Sequence, residues 1–279
     1  MSYTPIVPLE GLGGWRFLQR TLDSQRAAFD ASARNAREIE YFRENIAGAD
    51  TAEKLVADRT LLKVALGAYG LGSEIDKRAL MRKVLEEGTT DREALALRFS
   101  DPKFRELSFA FGYGDERGAQ VGREGFAEQV IGRYRIRAFE EAVGAVDDSM
   151  RLALNFDRVV QTRAPAALSD DGFWLGVLGD PPLRAVFEGA FGLPSQFAAL
   201  DIDQQVATMA ERSERLIGSR DIADLATPEA REKVIRRFLL RQQINSGPSA
   251  SAAGMGALQL LQSGSAGPSA IQNLLVSRF

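Results

Sequence analysis

Apolar residues recur at three- and four-residue spacing from the first tryptophan onward. Trp15, Leu18, Leu22, Phe29, Ala36, Ile39 and Ile46 fall on one stripe, with Gln25 and Ser32 as softer members. A stripe of that period is the packing face of an amphipathic helix. It predicts a first long helix over 15–47, about 45 Å at 1.5 Å per residue, ended by Gly48. The same period returns in KLVADRTLLKVALGAY, EIDKRALMRKVLEE, REALALRF and KFRELSFAF. It returns again in a second long helical stretch, 120–162, which runs from about Phe126 to Val143 and continues past Gly144 and Asp147 as DSMRLALNFDRVV. Asp50 with Glu53 and Thr90 with Glu93 read as capping boxes, Ser73 as a cap, and Ser100-Asp101-Pro102 as a cap followed by a first-turn proline. Period-two runs of β-branched residues and Asn-Gly hairpin turns are missing. The chain reads as all-α.

One short pattern occurs twice. GAYGL at residues 67–71 and GAFGL at residues 189–193 follow similar helical stretches, with Leu61 and Val64 matched by Leu183 and Val186. A phosphate-cradling loop needs a strand before its glycines and backbone donors after them. Here a helix precedes them, no Gly-Lys-Ser/Thr follows, and Pro194 removes a donor from the second copy. The pattern reads as helix punctuation, with Gly70 and Gly192 as C-caps in left-handed backbone. Two related helical blocks follow, about 50–115 and 170–245, within a body of residues 15–245. In this reading KFRELSFAF after Pro102 is the counterpart of EAREKVIRRFLLRQQ after Pro228, and the two long helices brace the blocks. Residues 1–14 are a flexible Pro/Gly-rich arm. Residues 246–279 change composition to Gly, Ser and Ala and read as a flexible tail. It ends in the amphipathic segment AIQNLLVSRF, whose Ile271, Leu274, Leu275 and Phe279 are candidate partner-binding residues, docking in cis or in trans.

Composition changes the picture mainly by exclusion. Across 279 residues there is neither histidine nor cysteine. Triads through histidine, thiol nucleophiles and zinc sites of imidazole and thiolate are therefore ruled out. The formal charge is −3, which supplies no global field for nucleic acid. Basic clusters at Arg133, Arg135, Arg137 and at Arg236, Arg237, Arg241 read as solvated, partly ion-paired helix faces. Asp201 and Asp203, with Gln204 and Gln205, lack the rest of a calcium loop and read as a helix start, as do Asp147-Asp148 and Asp170-Asp171. Trp174 reads as a core anchor, with carbohydrate stacking the other role open to it. No metal or cofactor site is expected, no segment is apolar enough to insert into a membrane, and no cleaved signal peptide is read at the N-terminus.

DRTLLKVALGAYGL, MRKVLEEG, RFSDPKFRELSFAFGYG, RAFEEAVG, MRLALNF, LGDPPLRAVFEGAFGLP and IRRFLLRQQ, spread over about residues 10–245, resemble an uncharacterised all-helical bacterial family. Its members are catalogued as a domain of unknown function and are often encoded beside flagellar genes in α-proteobacteria. The resemblance implies an all-helical fold and a flagellum-associated protein, with no catalytic or binding residues to carry over. The expectation is a non-enzymatic helical protein that binds other proteins in motility or flagellar assembly, either cytoplasmic or exported by the flagellar route. Cysteine absence suits both compartments. The alternatives are a carboxylate-dependent hydrolase and a cytosolic chaperone-like adaptor. A nucleic-acid binder acting through the arginine clusters runs against the acidic total.

Overall fold

Two helix pairs built to one plan organise the molecule. The computed structural model describes residues 3–246, and these contain helices and no strand. The helices are α1 (Gly11–Asp30), α2 (Ala33–Asn45), α3 (Ala52–Ala57), α4 (Arg59–Tyr69), α5 (Arg78–Glu87), α6 (Leu95–Arg98) and α7 (Pro102–Phe111). They continue as α8 (Phe126–Gly144), α9 (Asp148–Arg163), α10 (Asp170–Leu178), α11 (Pro181–Phe191), α12 (Ile202–Ile217) and α13 (Pro228–Ser246). Helix α4 lies along α8, and α11 lies along α13.

The repeated glycines explain both contacts. A Cβ on Gly67 would stand 2.9 Å from the ring of Tyr134, and one on Gly189 would stand 2.8 Å from the ring of Phe238. Hydrogen in place of a side chain lets each helix close down on an aromatic ring. One turn later Gly70 (φ +71°) and Gly192 (φ +64°) adopt left-handed backbone and end their helices, a conformation that costs other residues energy. The guanidinium groups of Arg137 and Arg241 lie against these two glycines. Positive charge there faces the negative end of a helix dipole.

The plan extends outward from each pair. Helices α2, α3, α4, a 3₁₀ turn (Gly72–Glu74), α5 and α8 form one unit. Helices α9, α10, α11, a 3₁₀ turn (Ser195–Ala199), α12 and α13 form the other. In each, the last-named helix packs on both the first and the third. Asp58 and Asp180 hold the starts of α4 and α11 by accepting backbone N–H bonds. The first unit carries an insertion, α6–α7, where the second has only the 3₁₀ turn Ile222–Ala226.

Each unit has its own core. One buries Phe42, Leu62, Leu66, Met81, Phe111 and Ile131. The other buries Phe139, Phe156, Trp174, Phe187, Phe191 and Phe238, with Trp15 and Leu18 of α1 added. Helix α8 runs through both, its first half in one core and Phe139 and Val143 in the other.

Several sequence expectations are corrected. The first long helix is two helices, broken at Ala31-Ser32, because Ser32 is extended (ψ +139°) and starts α2. The second is also two: α8 and α9 fold back on each other through Ala145–Asp147, with Asp147 accepting from Ser149 and Met150. Both belong to the repeat units. The counterpart of α13 is α8, through VIGRYRIR at 130–137 and VIRRFLLR at 234–241. KFRELSFAF in α7 lies in the insertion and has no counterpart in the second unit, although it opens on Asp-Pro and closes on Ala-Phe-Gly as α11 does. Thr51, not Asp50, caps α3; Asp58 interrupts the following stretch; Ser73 lies in the 3₁₀ turn, with α5 starting at Arg78. Thr90 caps no helix, and the N–H of Leu95 is held by Glu87 at 2.6 Å.

Among the described residues the arm ends at Glu10 and is held at Ile6. Gly11–Gly14 form the first turn of α1. Gln25 accepts the N–H of Ile6 at 2.7 Å and donates to its carbonyl at 3.0 Å. That is why a polar residue sits in the apolar stripe of α1. The tail residues Ile271, Leu274, Leu275 and Phe279 lie outside the described residues.

Glu38 ties the first unit together. It accepts from Lys63 of α4 at 2.5 and 2.6 Å and from the Tyr134 hydroxyl of α8 at 2.8 Å. Burial works to raise its pKa, but the hydrogen bonds from Lys63, Tyr134 and Arg34 outweigh burial and hold the carboxyl below its ordinary value of 4.5. A depressed carboxyl stabilises the fold above its unfolded pKa and loses that contribution as pH falls through the folded value. Glu38→Gln should therefore cost about 2 kcal/mol near neutral pH. In urea titrations the deficit should shrink once the pH drops below 4.5. A deficit constant with pH would show that the charge is immaterial.

Candidate functional site

The α6–α7 insertion creates a cleft that the duplication alone would not. One wall is α7, with Arg105 and Glu106. The floor is α8, with Arg133, Ile136 and Arg137. The far wall is α9 and α10, with Arg158, Arg163, Leu168, Phe173 and Val177. The cavity is about 820 Å³. It shares Arg105 and Gly176 with a smaller recess of about 200 Å³ lined by Leu97, Phe99 and Leu175. On the other side it shares Glu106 and Arg133 with a hollow of about 570 Å³ lined also by Arg117, Arg123, Glu124 and Phe109. These three neighbouring hollows are termed the groove.

The arginines divide into two sets. Arg158 forks onto Glu140, with Nε–Oε1 2.7 Å and Nη2–Oε2 2.9 Å, and reaches Asn155 at 2.8 Å. Arg163 joins the units by pairing with Asp180 at 3.0 Å and Glu106 at 3.6 Å. Asp180 is spoken for twice, since it also accepts from the N–H of Leu183 at the start of α11. These pairs build the walls. Arg105, Arg133 and Arg137 belong to no ion pair within the described residues. Arg133 is exposed over the ring of Tyr69, its guanidinium carbon 5.1 Å from the centroid. Arg105 is exposed on α7.

Arg137 is the unusual member. It is half-buried, has no carboxylate within ion-pair distance among the described residues, and lies between the cleft and a second cavity of about 320 Å³ beside Gly70. Burial pushes its pKa down, and the neighbouring Arg158 pushes the same way, against Glu140, Glu106 and Asp180. A guanidinium stays protonated even so. The cleft floor therefore holds a partly desolvated positive charge.

The arginine reading from sequence is thus corrected in part. Arg133 and Arg137 are four residues apart and share the cleft face of α8, whereas Arg135 turns the other way toward Asp30 at 3.6 Å. The spacing carried that signal. Arg105, Arg158 and Arg163 were not singled out, and nothing local in the sequence brings α7, α9 and α10 together. Arg241 sits at Gly192, away from the groove. Asp201 accepts the N–H of Asp203 at 2.9 Å as a helix cap, and Gln205 donates to the carbonyl of Leu200 at 2.7 Å. Among the described residues no three acidic side chains come together as metal ligands. Trp174 is fully buried, with ring centroids of Phe173 at 5.2 Å and Phe187 at 5.1 Å, so it has no free face for a sugar.

Fold and groove define an internally duplicated all-α protein with a basic cleft at its unit junction. The chain belongs to the family described as "Protein of unknown function (DUF1217)", whose model matches residues 68–230. It is also similar to the crystal structure of Protein AGR_C_984 from Agrobacterium tumefaciens. That likeness has a TM-score of 0.68 and 29% identity, and it covers 88% of this chain and 100% of that one. No curated protein matches the chain. None of the helices among the described residues is long and apolar enough to cross a membrane.

Proposed function

We propose that this is a non-enzymatic helical protein that works by binding another protein, and that the groove at the unit junction is where the partner docks. One observation carries the reading: a cleft of about 820 Å³ brings the apolar side chains of Ile136, Leu168 and Phe173 together with Arg105, Arg133 and Arg137, which form no ion pair among the described residues. Such a surface suits a length of polypeptide better than a compact metabolite, which is normally enclosed and met by a few converging polar groups. Leu168 is fully exposed and Leu175 and Phe109 are about half exposed along the same groove, and apolar side chains grouped beside a charged rim are the anatomy of an interface. Glu106, the carboxylate lining the cleft, is paired with Arg163, which fits it to holding the walls in place.

A flagellar component is the partner we propose, on the family resemblance of the sequence motifs. Affinity capture from motile cells tests it. A flagellar protein should be retained by the intact chain and be missing from captures in a strain without flagellar genes. Recovery of the chain alone from motile cells would contradict the reading. Repeating the capture without residues 247–279 assigns any share carried by Ile271, Leu274, Leu275 and Phe279.

A further inference from the structure

We infer that the groove takes a short acidic, amphipathic segment of the partner, with Arg137 receiving a carboxylate at the floor and Arg105 and Arg133 gripping others at the rim. This rests on the protein-binding reading and goes further, since it names the chemistry recognised. Arg137 is partly desolvated and lies beside the like charge of Arg158; the C-terminal end of α4 and the acids Glu140, Glu106 and Asp180 offset its charge, but no carboxylate of the described residues is within ion-pair distance. Its planar fork is open to a carboxylate from outside, which fits it. Arg133 stands one helical turn away on the same face of α8, and Arg105 faces them from α7. Further along, Arg117 stacks on the half-exposed ring of Phe109, its guanidinium carbon 3.8 Å from the centroid. Glu106 and Glu124 also line the groove, and Arg117, Arg158 and Arg163 are each paired with an acid. The surplus positive charge is confined to Arg105, Arg123, Arg133 and Arg137 while the whole chain is −3, so its field is local and short.

Local positive potential in an acidic protein favours a short anionic stretch over a long polyanion, whose outlying charges would meet the acidic remainder. The apolar far wall points the same way. Exposed Leu168 and half-buried Ile136, backed by the buried Val159, Phe173 and Val177, offer an apolar patch to leucine-like side chains, whereas single-stranded nucleic acid seeks open aromatic faces on which to stack bases. Of the aromatic rings in the groove, Phe109 has one face taken by Arg117, Phe99 is stacked on Phe104 with centroids 4.1 Å apart, and Tyr69 is buried beneath Arg133. Acid and hydrophobe alternating on one segment match the surface; phosphate and base do not.

The test uses the full chain and a fluorescent synthetic peptide of repeating Glu-Leu-Leu-Glu, followed by anisotropy at low and moderate salt. Three comparisons accompany it: the same peptide with glutamine for glutamate, a single-stranded oligonucleotide, and the variants Arg137→Gln, Arg105→Glu and Arg236→Gln. The acidic peptide should bind and weaken with salt. Arg137→Gln and Arg105→Glu should each weaken it by about tenfold or more, and Arg236→Gln, exposed on α13 away from the groove, should not. Arg105 is a surface residue, so its variant keeps the test sound should Arg137→Gln melt at lower temperature. Equal binding of the glutamine peptide, tighter binding of the oligonucleotide, or indifference to both groove variants would overturn the inference. A flagellar partner captured equally well by Arg137→Gln and Arg105→Glu would overturn the groove assignment while leaving the protein-binding reading standing. Peptide binding lost in the groove variants, with no partner captured from cells, would sink the broader reading and leave the groove chemistry intact.

Discussion

Phe187→Ala should destabilise the protein by about 3–5 kcal/mol, the largest loss expected from any single truncation. Phe187 is fully buried in α11. Its ring centroid lies 5.1 Å from those of Phe156 and Trp174, 5.4 Å from Phe191 and 6.5 Å from Phe173. Removing it deletes the hub of an aromatic cluster that joins α9, α10 and α11. The lost transfer free energy is only part of the effect. Rings held edge to face by their neighbours cannot all turn inward at once, so a void remains and adds its own cost. The urea midpoint should fall while the slope of the transition stays the same. A loss below about 1 kcal/mol would mean that the cluster collapses freely, against the close packing described.

The second large effect is at the repeated glycines. Gly67→Val and Gly189→Val should each cost about 2–3 kcal/mol, and by comparable amounts. Two influences oppose each other here. Valine is a better helix former than glycine by a few tenths of a kcal/mol, which favours the variants. Against it, the first carbon of the new side chain would already sit 2.9 Å from the Tyr134 ring or 2.8 Å from the Phe238 ring, and both rings are buried. The clash is with a ring inside a core, so the helices must separate, and overpacking wins. Combining Gly189→Val with Phe238→Ala should recover part of the loss, with a coupling of about 1 kcal/mol or more. Additive losses in the double variant would show that the glycine and the ring do not meet.

The all-helical nature of the chain was legible because a period near 3.6 survives almost everywhere. Helix ends were legible where a residue acts alone, as at Asp101-Pro102, Asp147, Gly70 and Gly192. Breaks were not legible where one residue leaves the helical backbone without disturbing the period. Asp58 is such a case: the stripe runs on from Leu55 through Leu61 and Leu62, yet the chain turns at Asp58 and starts again. Ser32 is another. The duplication was half visible. GAYGL and GAFGL stand out, but their partners VIGRYRIR and VIRRFLLR lie at different distances along the chain, because α6–α7 interrupts only one unit. The groove was least visible. Arg133 and Arg137 could be placed on one face from their spacing, but their lack of partners depends on Glu106 of α7, Glu140 of α8 and Asp180 at the start of α11 being occupied by Arg158 and Arg163. That is a property of tertiary packing.

The account stands on the groove between the units being the surface that partners occupy. Hydrogen exchange of the full chain, with and without the partner captured from motile cells, tests this most directly. Protection should rise in α7, the middle of α8 around Arg133–Arg137, the last turns of α9, and α10, with α2, α5 and α12 unchanged. Protection confined to α2, α5 or α12, with the groove helices exchanging as before, would contradict it.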